Sequence, residues 1–136
     1  MLKKMSVIYV VLFLLLLVGC GSNNKKSLEE DVFKDGEALI QAYYQSANGT
    51  DKSKEIQELA PKFDEMEKAN TFSSEDEEWF VKEIQLLKQE YALYMMEGAL
   101  EYASKNTQGD KKGAKKEMMK HMKELQDTFG IIYTKK

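Results

Sequence analysis

Residues 73–105 read SSEDEEWFVKEIQLLKQEYALYMMEGALEYASK, and this stretch decides the class of fold. Two hydroxyls, Ser73 and Ser74, stand before four carboxylates, Glu75 to Glu78. A hydroxyl followed by acidic residues caps a helix start and complements the positive end of its dipole. From there Phe80, Ile84, Leu87, Tyr91, Tyr94, Gly98 and Tyr102 recur at steps of three and four, the spacing of one helical face. Trp79, Leu86, Leu93 and Leu100 add a second stripe beside it. A face that wide has to touch more than one neighbour. The acidic run resembles an oxygen-rich cation site, but consecutive helical carboxylates diverge, capping accounts for them, and no calcium-loop spacing is present.

Three further segments carry the same period. Leu28 to Ala47 places Leu28, Val32, Leu39 and Tyr43 on one side, with Phe33, Ile40 and Tyr44 alongside. Ser27 is its expected N-cap, and Glu30 completes a capping-box pattern. Asn48-Gly49-Thr50 breaks that helix. Ser53 to Ala69 buries a narrow stripe of Ile56, Leu59, Phe63 and Met66, and Pro61 within it predicts a kink or a restart. After Asn106 to Asp110 a lysine-rich segment sets Met118, Met122, Leu125, Phe129 and Ile132 at steps of four and three. No alternating apolar and polar run competes, so the expectation is an all-α fold, a small antiparallel bundle of about four helices.

The lengths do not match. A third helix of about 32 residues would be roughly 48 Å long, whereas the first two reach only about 25 to 30 Å. Either it bends at Gly98, or the stretch carrying Tyr91, Tyr94, Met95 and Tyr102 meets another protein or a second copy. Tyrosine and methionine are favoured at interfaces.

Upstream of the bundle, Lys3 and Lys4 precede an apolar run from Met5 to Val18, too short for a comfortable permanent span. It closes with Leu17-Val18-Gly19-Cys20. This ending resembles the lipobox of bacterial lipoproteins, in which diacylglycerol is attached to the cysteine before signal peptidase II cuts on its N-terminal side. The resemblance implies a cleaved signal peptide over 1–19, a lipidated Cys20 with a short tether over 20–26, and a bundle domain over 27–136. It also implies anchorage on the outer face of the cytoplasmic membrane. A two-chain anchor holds firmly where one chain does not. Between anchor and bundle lies Gly21 to Lys26, with a reach of roughly 20 Å, and Lys25 and Lys26 suit an anionic surface. Every basic residue is lysine, which points weakly to a Gram-positive host.

Of 136 residues, 43% are apolar and 32% charged, enough for one modest core. Cut before Cys20, the chain keeps 18 lysines against 23 acidic groups, a formal charge of −5. That balance argues against nucleic acid as a partner. One cysteine excludes a disulfide framework and a multi-cysteine zinc site. Charge is uneven: residues 27–101 hold 7 Lys and 19 acidic groups, and residues 102–136 hold 9 Lys and 4. The last helix is thus a basic element against an acidic body, complementing it or facing an anionic membrane or partner.

Catalytic signals are thin, with one histidine and no nucleophile-elbow, zinc-protease or phosphate-loop motif. Met118, His121 and Met122, at i, i+3 and i+4, are a candidate Cu(I) set of soft ligands, and the same methionines fit an apolar core stripe. The leading expectation is a non-catalytic, cofactor-free interaction module that binds another envelope protein. An exclusion or immunity factor is one such role. A ligand or copper carrier is the alternative.

Overall fold

The computed structural model describes residues 28–103 and 110–134. They form four helices, α1 (Glu30–Ala47), α2 (Ser53–Ala69), α3 (Glu75–Ala103) and α4 (Lys111–Phe129), and no strand occurs among the described residues. The fold is a small all-α bundle. Side-chain contacts set the helix directions. Gly36 lies against Phe80 and Ala47 against Tyr94, so α1 and α3 run parallel. Trp79 packs on Phe129 while Glu97 meets Asp110, which makes α4 antiparallel to α3. A short turn after Ala47 sends α2 back along α1, where Lys62 pairs with Asp35 at 2.7 Å. Helices α2 and α4 do not pack on each other, because α1 and α3 meet between them.

Each boundary has a local cause. At the start of α3 the Ser74 hydroxyl accepts the Glu77 N–H at 3.1 Å, and the Glu77 carboxylate turns back to accept both N–H and Oγ–H of Ser73. Those bonds explain why Glu77 alone of the acidic run is buried. Helix α1 begins two residues later than the sequence suggests. Its cap position falls on Glu29, which makes no capping bond, and the expected cap Ser27 lies outside the described residues. Helix α2 runs through Pro61 without restarting. Pro61 is on the exposed side, while Ala60 and Phe63 hold the other side in the core.

Helix α4 stops at Phe129 because Gly130 takes a left-handed conformation, φ 78°. Ile132 is therefore not the last residue of the helical stripe. Past Gly130 the inward positions alternate, with Ile131 and Tyr133 buried and Ile132 exposed. The tail lies along α1, where the Ile132 N–H donates to Glu37 and the Tyr133 ring meets Tyr44 edge-on.

Phe80 occupies the centre. Its ring lies edge-on to Phe63 of α2 and to Phe129 of α4, at centroid distances of 6.4 and 4.8 Å. It also fills the space above Gly36, where an added Cβ would sit 2.4 Å from the ring. Above it Leu39, Ile40, Tyr43, Ile84, Leu87, Met118, Met122 and Leu125 complete the core. The Tyr43 hydroxyl has no hydrogen-bond partner, and burial, with Asp64 and Tyr91 nearby, pushes its pKa well up. Between α2 and α3, Asp64 accepts from Lys88 at 2.7 Å and Gln85 at 2.9 Å. Partial burial pushes the Asp64 carboxyl up, but these two bonds outweigh it and hold the group below its usual range.

Two outcomes follow for stability. An exposed helical glycine changed to alanine ordinarily gains up to about 1 kcal/mol, but Gly36→Ala should lose about 1 to 3 kcal/mol through its clash with Phe80. Gly98→Ala meets only the flexible Lys111 side chain at 3.2 Å and should be neutral or stabilising; the urea midpoint should fall for Gly36→Ala and hold or rise for Gly98→Ala. A depressed carboxylate adds stability above the ordinary carboxylate range and loses it as pH falls through that range. The stability gap between wild type and Asp64→Asn should therefore be widest at neutral pH and shrink on acidification.

Candidate interaction site

The site follows from unequal helix lengths. Helix α3 has 29 residues and is about 44 Å long, whereas the other three, at 17 to 19 residues, reach only about 25 to 29 Å. Helix α1 ends first at this level. The Asn48 side chain donates back to the Tyr44 carbonyl, and Gly49, at φ 94°, turns the chain away. Tyr94 is the last buried residue of α3, with its hydroxyl on the Ala47 carbonyl at 3.2 Å. Met95 to Ala103 continue beyond it as unbroken helix, about 13 Å of overhang.

Among the described residues, the first turn of α4 accompanies the overhang. The Asp110 N–H donates to Glu97 and the Lys111 N–H to Glu101, so two overhang carboxylates satisfy donors at the start of α4. Asp110 caps the same helix by accepting the Gly113 N–H at 2.9 Å. The Lys111 ammonium lies over the Tyr94 ring, 5.3 Å from its centroid, and its stem crosses Gly98. Lys115 reaches the Ala47 carbonyl at 2.9 Å and ties α4 to the end of α1. Beneath the overhang is an open notch of about 440 Å³, lined by Ser46, Gly49, Tyr94, Met95, Gly98 and Lys111.

The four residues expected to meet a partner divide into two pairs. Tyr91 is half-buried, bonded to Ser46 at 2.6 Å and 4.7 Å from the Tyr43 ring, and Tyr94 is buried. Those two belong to internal packing. Met95 is 51% and Tyr102 94% exposed, and both lie where the core-facing side of α3 runs past the end of α1. Met96, Leu93 and Leu100 are exposed apolar neighbours that the sequence reading did not place at the surface. Leu17, Val18, Gly19 and Cys20 lie outside the described residues.

Met118, His121 and Met122 lie on α4. Both thioethers are fully buried in the core. The His121 ring instead sits between two α3 carboxylates, Nε2 at 2.7 Å from Glu83 and Nδ1 at 2.8 Å from Glu90. With a carboxylate on each ring nitrogen, the ring braces α3 against α4. Sequence reasoning found no partner for His121. The available signal was the seven-residue interval between Glu83 and Glu90, which returns to one side of α3 after two turns. Among the described residues no group of three or more His, Cys, Asp or Glu is placed to hold a metal ion, and no helix is long and apolar enough to cross a membrane.

No family model matches the chain, and no curated protein or solved structure is detectably similar to it.

The brace carries its own expectation. Glu83→Gln and Glu90→Gln should each cost about 1 kcal/mol at neutral pH, reduced from a buried-pair value because both carboxylates are partly solvated. In a His121→Gln background the same changes should cost markedly less, a coupling that a double-mutant cycle in urea measures.

Proposed function

We propose that this chain is a lipoprotein of the cell envelope, cut before Cys20 and held on the outer face of the cytoplasmic membrane by a diacylglyceryl group on that thiol. It acts without catalysis or cofactor, by presenting its helical bundle to another envelope protein. The anchor rests on Leu17-Val18-Gly19-Cys20 and the apolar run before it. The binding role rests chiefly on one observation, the continuation of the core-facing side of α3 past the end of α1, which leaves Met95 at an open notch and Tyr102 exposed two turns further on.

The geometry supports the two halves together. The tether would join the bundle near Leu28, beside the first turn of α1. Because α1 and α3 are parallel, the overhang lies at the opposite end. A protein held at Cys20 with its long axis upright would carry Met95 and Tyr102 outward, away from the lipid. Blocking an entry or transfer machine, as an exclusion or immunity factor does, suits such a display.

Two measurements test the proposal. Wild-type chain should gain a lipid and lose residues 1–19, whereas Cys20→Ala should keep them and take no lipid, read by mass. A photoreactive residue at Tyr102 in intact cells should capture one envelope protein in wild type, with capture abolished by Met95→Glu and absent when the probe sits at Lys54. Equal capture from Lys54, or capture that survives Met95→Glu, would reject the overhang as the binding site.

A further inference from the structure

The outer side of α1 carries a cavity that the overhang does not use. Gln41, Tyr44, Gln45 and Asn48 stand at i, i+3, i+4 and i+7, so they share one face of the helix and line the cavity from it. Thr50 and Lys52 line it from the turn that follows α1, and Thr134 lines it from the C-terminal tail. The tail is pinned by Ile131 and Tyr133, both buried, by the Ile132 N–H on Glu37, and by the Tyr133 ring set edge-on to Tyr44 at 5.2 Å. The turn is held by the Thr50 N–H on the Gln45 carbonyl and by the Asn48 side-chain amide on the Tyr44 carbonyl. The space between is about 760 Å³, against about 440 Å³ for the overhang notch. Sites for small ligands span roughly 300 to 1,000 Å³.

We infer that this cavity binds a saccharide. The chemistry of the lining selects the class. Of the whole chain 32% is charged, yet Lys52 is the one charged residue of this lining, and its ammonium is bonded to Glu55 at 2.6 Å. A lining without a carboxylate offers no charged oxygens to a hard cation, and one ammonium already paired is a poor receptor for an anion. What remains is the amides of Gln41, Gln45 and Asn48 and the hydroxyls of Tyr44, Thr50 and Thr134, groups that both donate and accept. Those hydroxyls make no hydrogen bond among the described residues. Asn48 gives one proton to the Tyr44 carbonyl and accepts from Lys115, which leaves it a second proton and a second lone pair. Neighbouring hydroxyls of a sugar ring likewise donate and accept at once, so a single amide can meet two of them. The C–H side of such a ring is slightly positive and lies well on the negative face of an aromatic ring, which Tyr44 supplies beside the amides. A peptide backbone would need a row of unpaired main-chain groups, and a helix face offers none. The cavity lies toward the end of α1 remote from the tether, so in the anchored orientation proposed above it opens on the outward half of the bundle. That placement rests on the lipoprotein reading, whereas the binding does not.

The test uses the full chain in a detergent without a sugar headgroup. Glucose, N-acetylglucosamine, cellobiose and chitobiose are titrated up to tens of millimolar while the backbone amide signals are followed by NMR, with glycerol, trialanine and inorganic phosphate as controls. At least one saccharide should shift the signals of Tyr44, Gln45, Thr50 and Thr134 saturably and leave those of Met95 to Ala103 unmoved. Tyr44→Leu should weaken that binding at least about tenfold. Because Tyr44 also packs on Tyr133, a second chain carries Thr50→Val and Thr134→Val, both at exposed positions. It should bind at least about threefold more weakly, an effect below one decade, with its thermal melt near that of wild type. Cys20→Ala should bind as tightly as wild type, so the result stands apart from the fate of the anchor. Tighter binding of a disaccharide than of its single sugar marks linked sugars as the ligand, and equal binding marks a free sugar. No saturable shift with any saccharide, equal shifts with glycerol, tighter binding of trialanine or phosphate, or saccharide binding that survives both variants would overturn the proposal.

Discussion

The contact on which the rest of the molecule depends is the ring of Phe80 seated over Gly36. A side chain at position 36 would push the ring away, so the missing Cβ lets α1 and α3 come together. The ring is fully buried, and its flanks meet Phe63 of α2 and Phe129 of α4. One residue thus touches the other three helices, and burying a ring of that size is worth about 2 to 3 kcal/mol. Fixing α1 against α3 at this point also fixes where α1 runs out. The height at which α3 emerges from the bundle is then a matter of chain length alone.

The polar contacts follow the same frame. Glu77 is buried because Ser73 meets its carboxylate, and His121 because Glu83 and Glu90 stand on either side of it, while the half-buried Asp64 is held by Lys88 and Gln85. The uneven charge of the sequence is partly spent in this way. The acidic body meets the basic last helix through one histidine and through Glu97 and Glu101 on the backbone of its first turn. Several lysines of α4 are used differently: Lys120 and Lys123 pair with Glu124 and Asp127 one turn on, and Lys115 reaches the end of α1.

Much of the fold was legible because helices write their period into the sequence. Residues 73–105 announced a capped helix with two apolar stripes, and the four segments, their order and the surplus length of the third all follow from spacing. The failures have local causes. Ile132 continued the count of the α4 stripe, but Gly130 ended the helix and shifted the inward positions to Ile131 and Tyr133. Pro61 pointed to a kink or a restart, and the restart does not occur, because a helix held by Ala60 and Phe63 on its inner side tolerates a ring on its outer one. For the candidate site, spacing placed Tyr91 and Tyr94 on the same face as Tyr102. It could not say where α1 would stop, and that end point separates internal residues from displayed ones. The partners of His121 were hidden because they belong to another helix, and contact between helices depends on rotation about their axes as well as on period.

The overhang has a mechanical consequence. A free loop of the same reach would sample many shapes and would have to be ordered when a partner arrived. Met95 to Ala103 extend a helix whose preceding turns are clamped in the bundle, so the segment stands as a cantilever already in its final form. Its docking forfeits little conformational freedom, and a load applied at Tyr102 is carried back through the Tyr94 and Lys111 contacts into the bundle as a whole.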